Sequence, residues 1–136
     1  MNILQQSISG LPAFIIYLAS ALALLAVFLF IYIRITPYRE IALIREGNIA
    51  AAISLSGAMI GFTIPLSKAI AQSANLPDML TWAGIALVVQ LLAYVTARLL
   101  IPGISRDIPA GKIAQGVFLG VLSLATGILN SACMTY

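Results

Sequence analysis

Chemistry needs side chains that titrate, coordinate or attack, and this sequence offers few. It has no histidine, one cysteine, and four acids, Glu40, Glu46, Asp78 and Asp107, against seven Lys and Arg. Without imidazole there is no ordinary general base near neutral pH. No His/Cys/Asp/Glu group has metal-ligand spacing and no glycine-rich phosphate loop occurs, so neither a metal nor an organic cofactor is expected. The nearest approach to a nucleophile pair is Ser67 beside Lys68. Adjacent residues on a helix point about 100° apart and do not face each other. No catalytic residue is expected, and the chain reads as a non-enzyme. Lys68 either snorkels to the headgroups or forms an outer ion pair with Asp78. Cys133, being alone, makes no disulfide within the chain; it is either a packing residue or an intersubunit thiol.

The elements that carry these residues follow from composition. With 136 residues, 62% hydrophobic and 8% charged, and a mean hydropathy of +1.09, the chain lies far from the soluble norm. A bilayer core about 30 Å thick needs roughly 20 apolar residues per helix. Four stretches qualify, at 12–33, 49–71, 80–101 and 113–133, so the expectation is an all-α integral membrane protein forming a single domain over 1–136. The leading MNILQQS has no basic residue, and the first apolar run outlasts the h-region of a signal peptide, so the first span is expected to be retained. Arg34, Arg39 and Arg45 in the first connection, and Arg98, Arg106 and Lys112 in the third, oppose a lone Lys68 in the second. That asymmetry places the first and third connections in the cytoplasm and both termini outside. The net charge of +3 reports topology and offers no basic surface for nucleic acid.

An offset of 64 residues aligns Arg34 with Arg98, and Gly47, Ile49, Ala50, Leu55 and Ile64 with Gly111, Ile113, Ala114, Leu119 and Ile128. The chain therefore reads as two parallel copies of a helical hairpin, 1–72 and 73–136. In the first connection, Thr36 is expected to cap a short interfacial helix starting at Pro37 and ending at Gly47. The third connection, with two Pro and two Gly, is expected to be irregular.

Small residues fall along one stripe of the second span, Ala50, Ser54, Gly57 and Gly61, and of the fourth, Gly116, Gly120, Ser123 and Gly127. In lipid, helices associate through close packing and hydrogen bonds, so these stripes mark tight contacts, either inside the bundle or between subunits. Pro65 frees the carbonyl near Gly61, with Thr63, Ser67 or water as its replacement partner. Ser54, Ser56, Thr63, Gln90, Gln115 and Asn130 are the uncharged polar groups that would line a path if they converged. Trp82, Tyr17, Tyr32, Tyr38 and Tyr94 lie toward span ends, as interfacial belts do. No acid falls at membrane depth, which argues against proton-coupled transport.

"ITP" at 35–37, "IPLS" at 64–67, "PD" at 77–78, "WAGIALVVQLL" at 82–92 and the closing "NSACMTY" at 130–136 resemble the YjfL-type family of small bacterial inner-membrane proteins. The resemblance spans the chain, departs from the family pattern at Lys68 and Ser131, and implies four spans in the inner membrane. The family has no established catalytic or ligand residues to carry over. Its members resemble components of gene clusters associated with phage-shock-type membrane-stress proteins. The resulting expectation is a self-associating structural or interaction protein of envelope or membrane-stress maintenance. Its partners would be the lipid bilayer, further copies of itself and a peripheral cytoplasmic protein. The rival is a small oligomeric channel or carrier for ions or small solutes.

Overall fold

A computed structural model describes residues 2–134; Thr135 and Tyr136 of the closing motif, like Met1, lie outside the described residues. The chain forms α1 (Ile3–Ile8), α2 (Leu11–Ile35), α3 (Glu40–Arg45), α4 (Ile49–Gln72), α5 (Leu76–Leu100), α6 (Ile104–Asp107) and α7 (Ile113–Cys133), with no strand among the described residues. Among the described residues four helical stretches are long and apolar enough to cross a membrane: Ile3–Ile35, Ile49–Gln72, Leu76–Leu100 and Ile113–Cys133. Two boundaries differ from expectation. The first stretch begins earlier, as α1, because Asn2 and Gln5 close a capping box. The third begins at Leu76 because Asn75 accepts from the Asp78 N–H (2.9 Å) while Asp78 accepts from Ala74 N–H (3.1 Å).

The tightest pair is α4 with α7. Ala50 faces Gly116, Gly57 faces Gly120, and Gly61 faces Ser123 and Gly127, so the residue numbers rise together and the two helices run parallel. A Cβ built on Gly57, Gly61, Gly116, Gly120 or Gly127 would meet backbone of the opposite helix at under 3.0 Å, which real Cβ atoms essentially never show. The facing atoms include the carbonyl oxygens of Ala50, Ile53, Gly61, Gly120 and Ser123, the arrangement in which glycine Cα–H groups meet carbonyls across a helix interface. Pro65 cannot donate to the Gly61 carbonyl, and that same oxygen is the one against which Gly127 packs. Thr63, expected as a replacement donor, instead bonds Met59 O at 2.7 Å on its own helix and faces outward.

Helix α5 completes the frame by side-chain hydrogen bonds. Gln90 Nε2 donates to Ser123 O at 2.7 Å, passing over Gly61, where a Cβ would collide with that nitrogen. Asn130 Nδ2 donates back to Ala86 O at 3.4 Å. Helix α2 joins this frame through few residues: Ala21, Phe28 and Tyr32 alone are buried, and Phe28 stacks on Phe62 of α4 with centroids 4.6 Å apart.

The connections depart from expectation in two ways. Pro37 starts no helix; α3 begins at Glu40 after the N-cap Arg39, and Thr36 is instead the C-cap of α2. The Thr36 hydroxyl contacts the Glu40 carboxyl and Ile33 O (3.0 Å), so it is not free to cap an N–H. The third connection carries one short helix, the four-residue α6, among turns. Gly103, at φ +88°, turns the chain into α6, whose Ile104 and following Ile108 are buried. Both connections then close with the same bonds 64 residues apart. Gly47 N–H donates to Ile44 O and Gly111 N–H to Ile108 O, each at 3.0 Å, while Asn48 N–H reaches Leu43 O (2.9 Å) and Lys112 N–H reaches Asp107 O (3.1 Å). The two glycines carry φ of +86° and +81°, left-handed values at the turns that lead into α4 and α7.

Replacing Gly127 by Ala is expected to lower thermal stability in detergent by about 1–3 kcal/mol, because backbone blocks the new methyl on the facing side. Gly84→Ala, whose Cβ would meet nothing within 4 Å, should leave stability unchanged or raise it slightly. Equal melting shifts in the two variants would contradict the packing described.

Candidate functional site

The sequence-designated residues divide by burial. Ala50, Ser54, Gly61, Gly116, Gly120, Ser123 and Gly127 are buried between α4 and α7 or beside them, and Gly57 is half-buried. Of the polar set, Ser54 bonds Ala51 O within its own helix (3.1 Å), and Gln90 and Asn130 tie α5 to α7. Gln115 is half-buried, and Ser56 and Thr63 are exposed toward the surface. They do not converge on one axis. Lys68 and Asp78 form no ion pair among the described residues; the Asp78 carboxylate is turned back onto the Ala74 N–H of its own helix start. The described pair is Lys112 with Asp107 at 3.4 Å, at the end of the third connection. Cys133 is a free, exposed thiol.

What the sequence reading did not single out lies where α2, α3 and α5 meet. Glu40 is fully buried, and Tyr32 and Tyr94, expected in headgroup belts, are 1% exposed. The correction is physical. Helix α3 has only six residues and packs on α4, so its first residue is driven inward instead of into solvent. Tyr32 meets Tyr94 edge-on with centroids 5.6 Å apart, and Phe28 tilts against Tyr32 at 5.7 Å. Glu40 Oε1 accepts from the Thr36 hydroxyl, but Oε2 has no hydrogen-bond partner, and neither do the hydroxyls of Tyr32, Tyr38 and Tyr94. The Thr36 hydroxyl that meets Glu40 also lies 3.5 Å from the Tyr38 carbonyl oxygen, so Glu40 and Tyr38 are held in one turn of the first connection.

Burial raises the Glu40 carboxyl from its ordinary value to about 7, and the Thr36 hydrogen bond offsets only part of that. Burial first, and the Glu40 charge second, push the Tyr38 phenol up, so it stays neutral at physiological pH. On the aqueous side, a cavity of about 700 Å³ is lined by Arg34, Arg39 and Arg45 with Thr36 and Glu40. Arg34 lies over the Phe30 ring at 4.8 Å, and Arg98 over Tyr94 at 5.8 Å. Among the described residues no group of three or more His, Cys, Asp or Glu is placed to hold a metal.

With this geometry established, comparison with known proteins gives the family. A family model described as a Domain of Unknown Function (DUF350) matches residues 6–134. The chain belongs to the DUF350 family. It is 43% identical over 129 residues to the UPF0719 inner membrane protein YjfL of Escherichia coli (strain K12), covering 95% of this chain and 98% of that one. It is equally similar to the protein of the same name from Escherichia coli O157:H7. Against the UPF0719 transmembrane protein YshE of Bacillus subtilis (strain 168) it is 26% identical over 118 residues, covering 85% and 88% of the two chains. No solved structure matches. The resemblance noted from the closing and central motifs is therefore a family membership.

A signal for Glu40 was present in the 64-residue offset, which pairs it with Ile104. Both occupy the first position of a connection helix, and both are buried, at 0% and 1% exposure. The matching position of the third connection is thus filled by hydrocarbon.

The pH dependence follows with a definite sign. Because the folded-state value is raised to about 7, Glu40 adds no penalty below its ordinary value, near 4.5, and a growing one as pH rises through 7. The full cost is on the order of 3 kcal/mol, taking about 1.4 kcal/mol per pH unit. Melting of purified protein in sodium- and potassium-free buffer is expected to fall between about pH 5 and pH 8, and Glu40→Gln is expected to flatten the profile. A wild-type profile as flat as that of the variant would show that Glu40 does not titrate in this range.

Proposed function

We propose that this protein is a non-catalytic, self-associating component of the bacterial inner membrane that serves envelope or membrane-stress maintenance. The observation that carries this reading is the isolation of the first span. Only 11% of the apolar window in Ile3–Ile35 is buried, against 33–50% in the other three spans. The small-residue faces of α4 and α7 close on each other within one chain, so they are not available for self-association. Helix α2 still presents an outward face on which Ala19, Ala23 and Ala26 are exposed at helical spacing between Ile16 and Phe30. Such a face allows close approach in lipid, where packing rather than hydrophobicity drives association. The rival, a small oligomeric channel or carrier, needs polar side chains that converge, and those available bond pairwise or face outward.

In this reading both termini are periplasmic, the two hairpins form a parallel repeat about an axis along the membrane normal, and the basic connections face the cytoplasm. The identical closing bonds of the two connections support the repeat. The Arg34, Arg39 and Arg45 cavity supports contact with anionic headgroups or an acidic peripheral partner.

Two tests separate these statements. Cysteine at Ala23 in a Cys133→Ser background is expected to give crosslinked dimer in membranes, whereas cysteine at Leu129 on α7 should not; uniformly monomeric protein at every expression level would end the self-association reading. For topology, an impermeant thiol reagent applied to intact cells should label cysteine at Ala74 and spare cysteine at Ala110, and the opposite pattern would invert the orientation.

A further inference from the structure

The first connection sets two acids beside two bases in sequence, Arg39 with Glu40 and Arg45 with Glu46, and the structure pairs neither. Glu40 turns its carboxyl inward, where Oε1 accepts from the Thr36 hydroxyl. Glu46 lines a different depression, with Asn48 and with Pro109 and Ala110 of the third connection. Arg34, Arg39 and Arg45 are left on one cavity of about 700 Å³, all three exposed and none in an ion pair among the described residues. The three bases of the third connection are placed otherwise: Lys112 pairs with Asp107 at 3.4 Å, Arg98 lies over the buried Tyr94 ring, and Arg106 turns back toward Gly103. Positive charge at a span end therefore does not by itself gather unpaired guanidiniums around one cavity.

We propose that this cavity binds the phosphate headgroup of an anionic phospholipid, held by Arg34, Arg39 and Arg45 where α2 leaves the apolar layer. The proposal rests on the reading that the basic connections meet the membrane surface. All three bases are arginine, whose planar guanidinium meets a phosphate through two parallel N–H···O bonds, whereas lysine offers a point charge. The depth is suitable. The 25 residues of α2 run about 37 Å, longer than an apolar core of about 30 Å, so the last turn that carries Arg34 reaches the headgroup layer. The lining is amphiphilic as well: Ile33, Pro37, Ile41 and Ala42 share it with the arginines. Ile41 is 52% exposed, and Arg34 lies at 4.8 Å over the exposed ring of Phe30.

The mixture of guanidinium and hydrocarbon decides the source of the anion. The volume lies within the range of roughly 300–1,000 Å³ that holds organic ligands, so a free phosphate would fill little of it. A free phosphate would also leave Ile33, Ile41 and Phe30 uncovered, and so would an acidic peptide, whose backbone is polar. A phospholipid lays its glycerol and upper acyl chains over these groups while its phosphate meets the arginines. Glu40 is the one acid in the lining. Its carboxyl lies beneath the surface on Thr36, so no exposed carboxylate opposes the anion.

The test uses purified full-length protein in dodecylmaltoside micelles, titrated with dioleoyl phosphatidylglycerol or with zwitterionic dioleoyl phosphatidylcholine at constant ionic strength. Native mass spectrometry counts the lipid retained. Phosphatidylglycerol is expected to bind roughly five-fold or more tightly than phosphatidylcholine. Arg39→Gln and Arg45→Gln should each cut that affinity about five-fold, the loss of one arginine's attraction to an anionic headgroup. Arg106→Gln, which takes the same charge from the third connection, should leave it unchanged. Ile41→Ser keeps every charge and should still weaken retention, an effect that a site for free phosphate would not show. Arg39, Arg45 and Ile41 are exposed, so these variants are expected to melt with the wild type. Equal retention of the two lipids by folded wild-type protein would overturn the proposal, as would an equal loss in Arg106→Gln. Displacement of the lipid by equimolar inorganic phosphate, or tighter binding of a hexaglutamate peptide, would overturn it in favour of a free anion or an acidic protein segment. Crosslinking at Ala23 and labelling at Ala74 and Ala110 read self-association and orientation independently, so failure of this site is distinct from failure of either.

Discussion

The close backbone approach of α4 and α7 is the constraint on which the rest of the molecule depends. In a bilayer, lipid tails solvate leucine as well as another helix does, so apolar side chains alone give little reason for two spans to stay together. Glycine at 57, 61, 116, 120 and 127 removes the side chains that would hold the helices apart, and carbonyl oxygens then face Cα–H groups over the length of the interface. The same choice governs α5. Gln90 reaches Ser123 only because Gly61 leaves room for its amide. Pro65 fits this logic too: it is buried inside α4, and the carbonyl it deprives of a backbone partner belongs to the residue nearest Gly127.

A rigid three-helix frame makes the weak attachment of α2 meaningful. Ala21, Phe28 and Tyr32 fix it to the frame, while most of its large side chains, from Leu11 to Leu22, stay outside. The whole first stretch of 33 residues would run about 50 Å as one helix, well beyond an apolar core of about 30 Å. The break at Gly10 separates α1, which carries polar Gln5, Gln6 and Ser7, from the spanning part. Attachment near its C-terminal end also ties α2 to Glu40, through the hydroxyl of its C-cap Thr36. A change in how α2 packs would therefore be felt by that carboxyl, and the reverse holds by linkage.

Legibility in the sequence followed the range of the interaction concerned. Span number and the small-residue stripes could be read because hydropathy and helical spacing are local properties. The Gly47 terminus was legible for the same reason, since a left-handed residue after a short amphipathic run is a one-residue signal. Failure came where a side chain's fate depends on a neighbour far along the chain. Arg39-Glu40 and Arg45-Glu46 look alike in sequence, yet Glu40 is buried and Glu46 exposed, because α3 packs against α4 with its first residue inward. Thr36 was assigned to the wrong helix because its oxygen has a better partner four residues on. The tyrosines were assigned to a headgroup belt on position alone. Their position near span ends was right, but three of them face the interior.

The first and third connections differ in a way that composition hides. Both close with the same hydrogen bonds and the same left-handed glycines, and Asn48 at the end of the first bonds the Ile108 and Pro109 carbonyls of the third (3.0 and 3.3 Å), holding them side by side. At matching positions the third buries Ile104 and the first Glu40. Burying hydrocarbon stabilises without condition, whereas burying a carboxyl makes stability depend on what neutralises it. The first connection therefore answers to pH where the third does not, because only the first buries a group that titrates near 7.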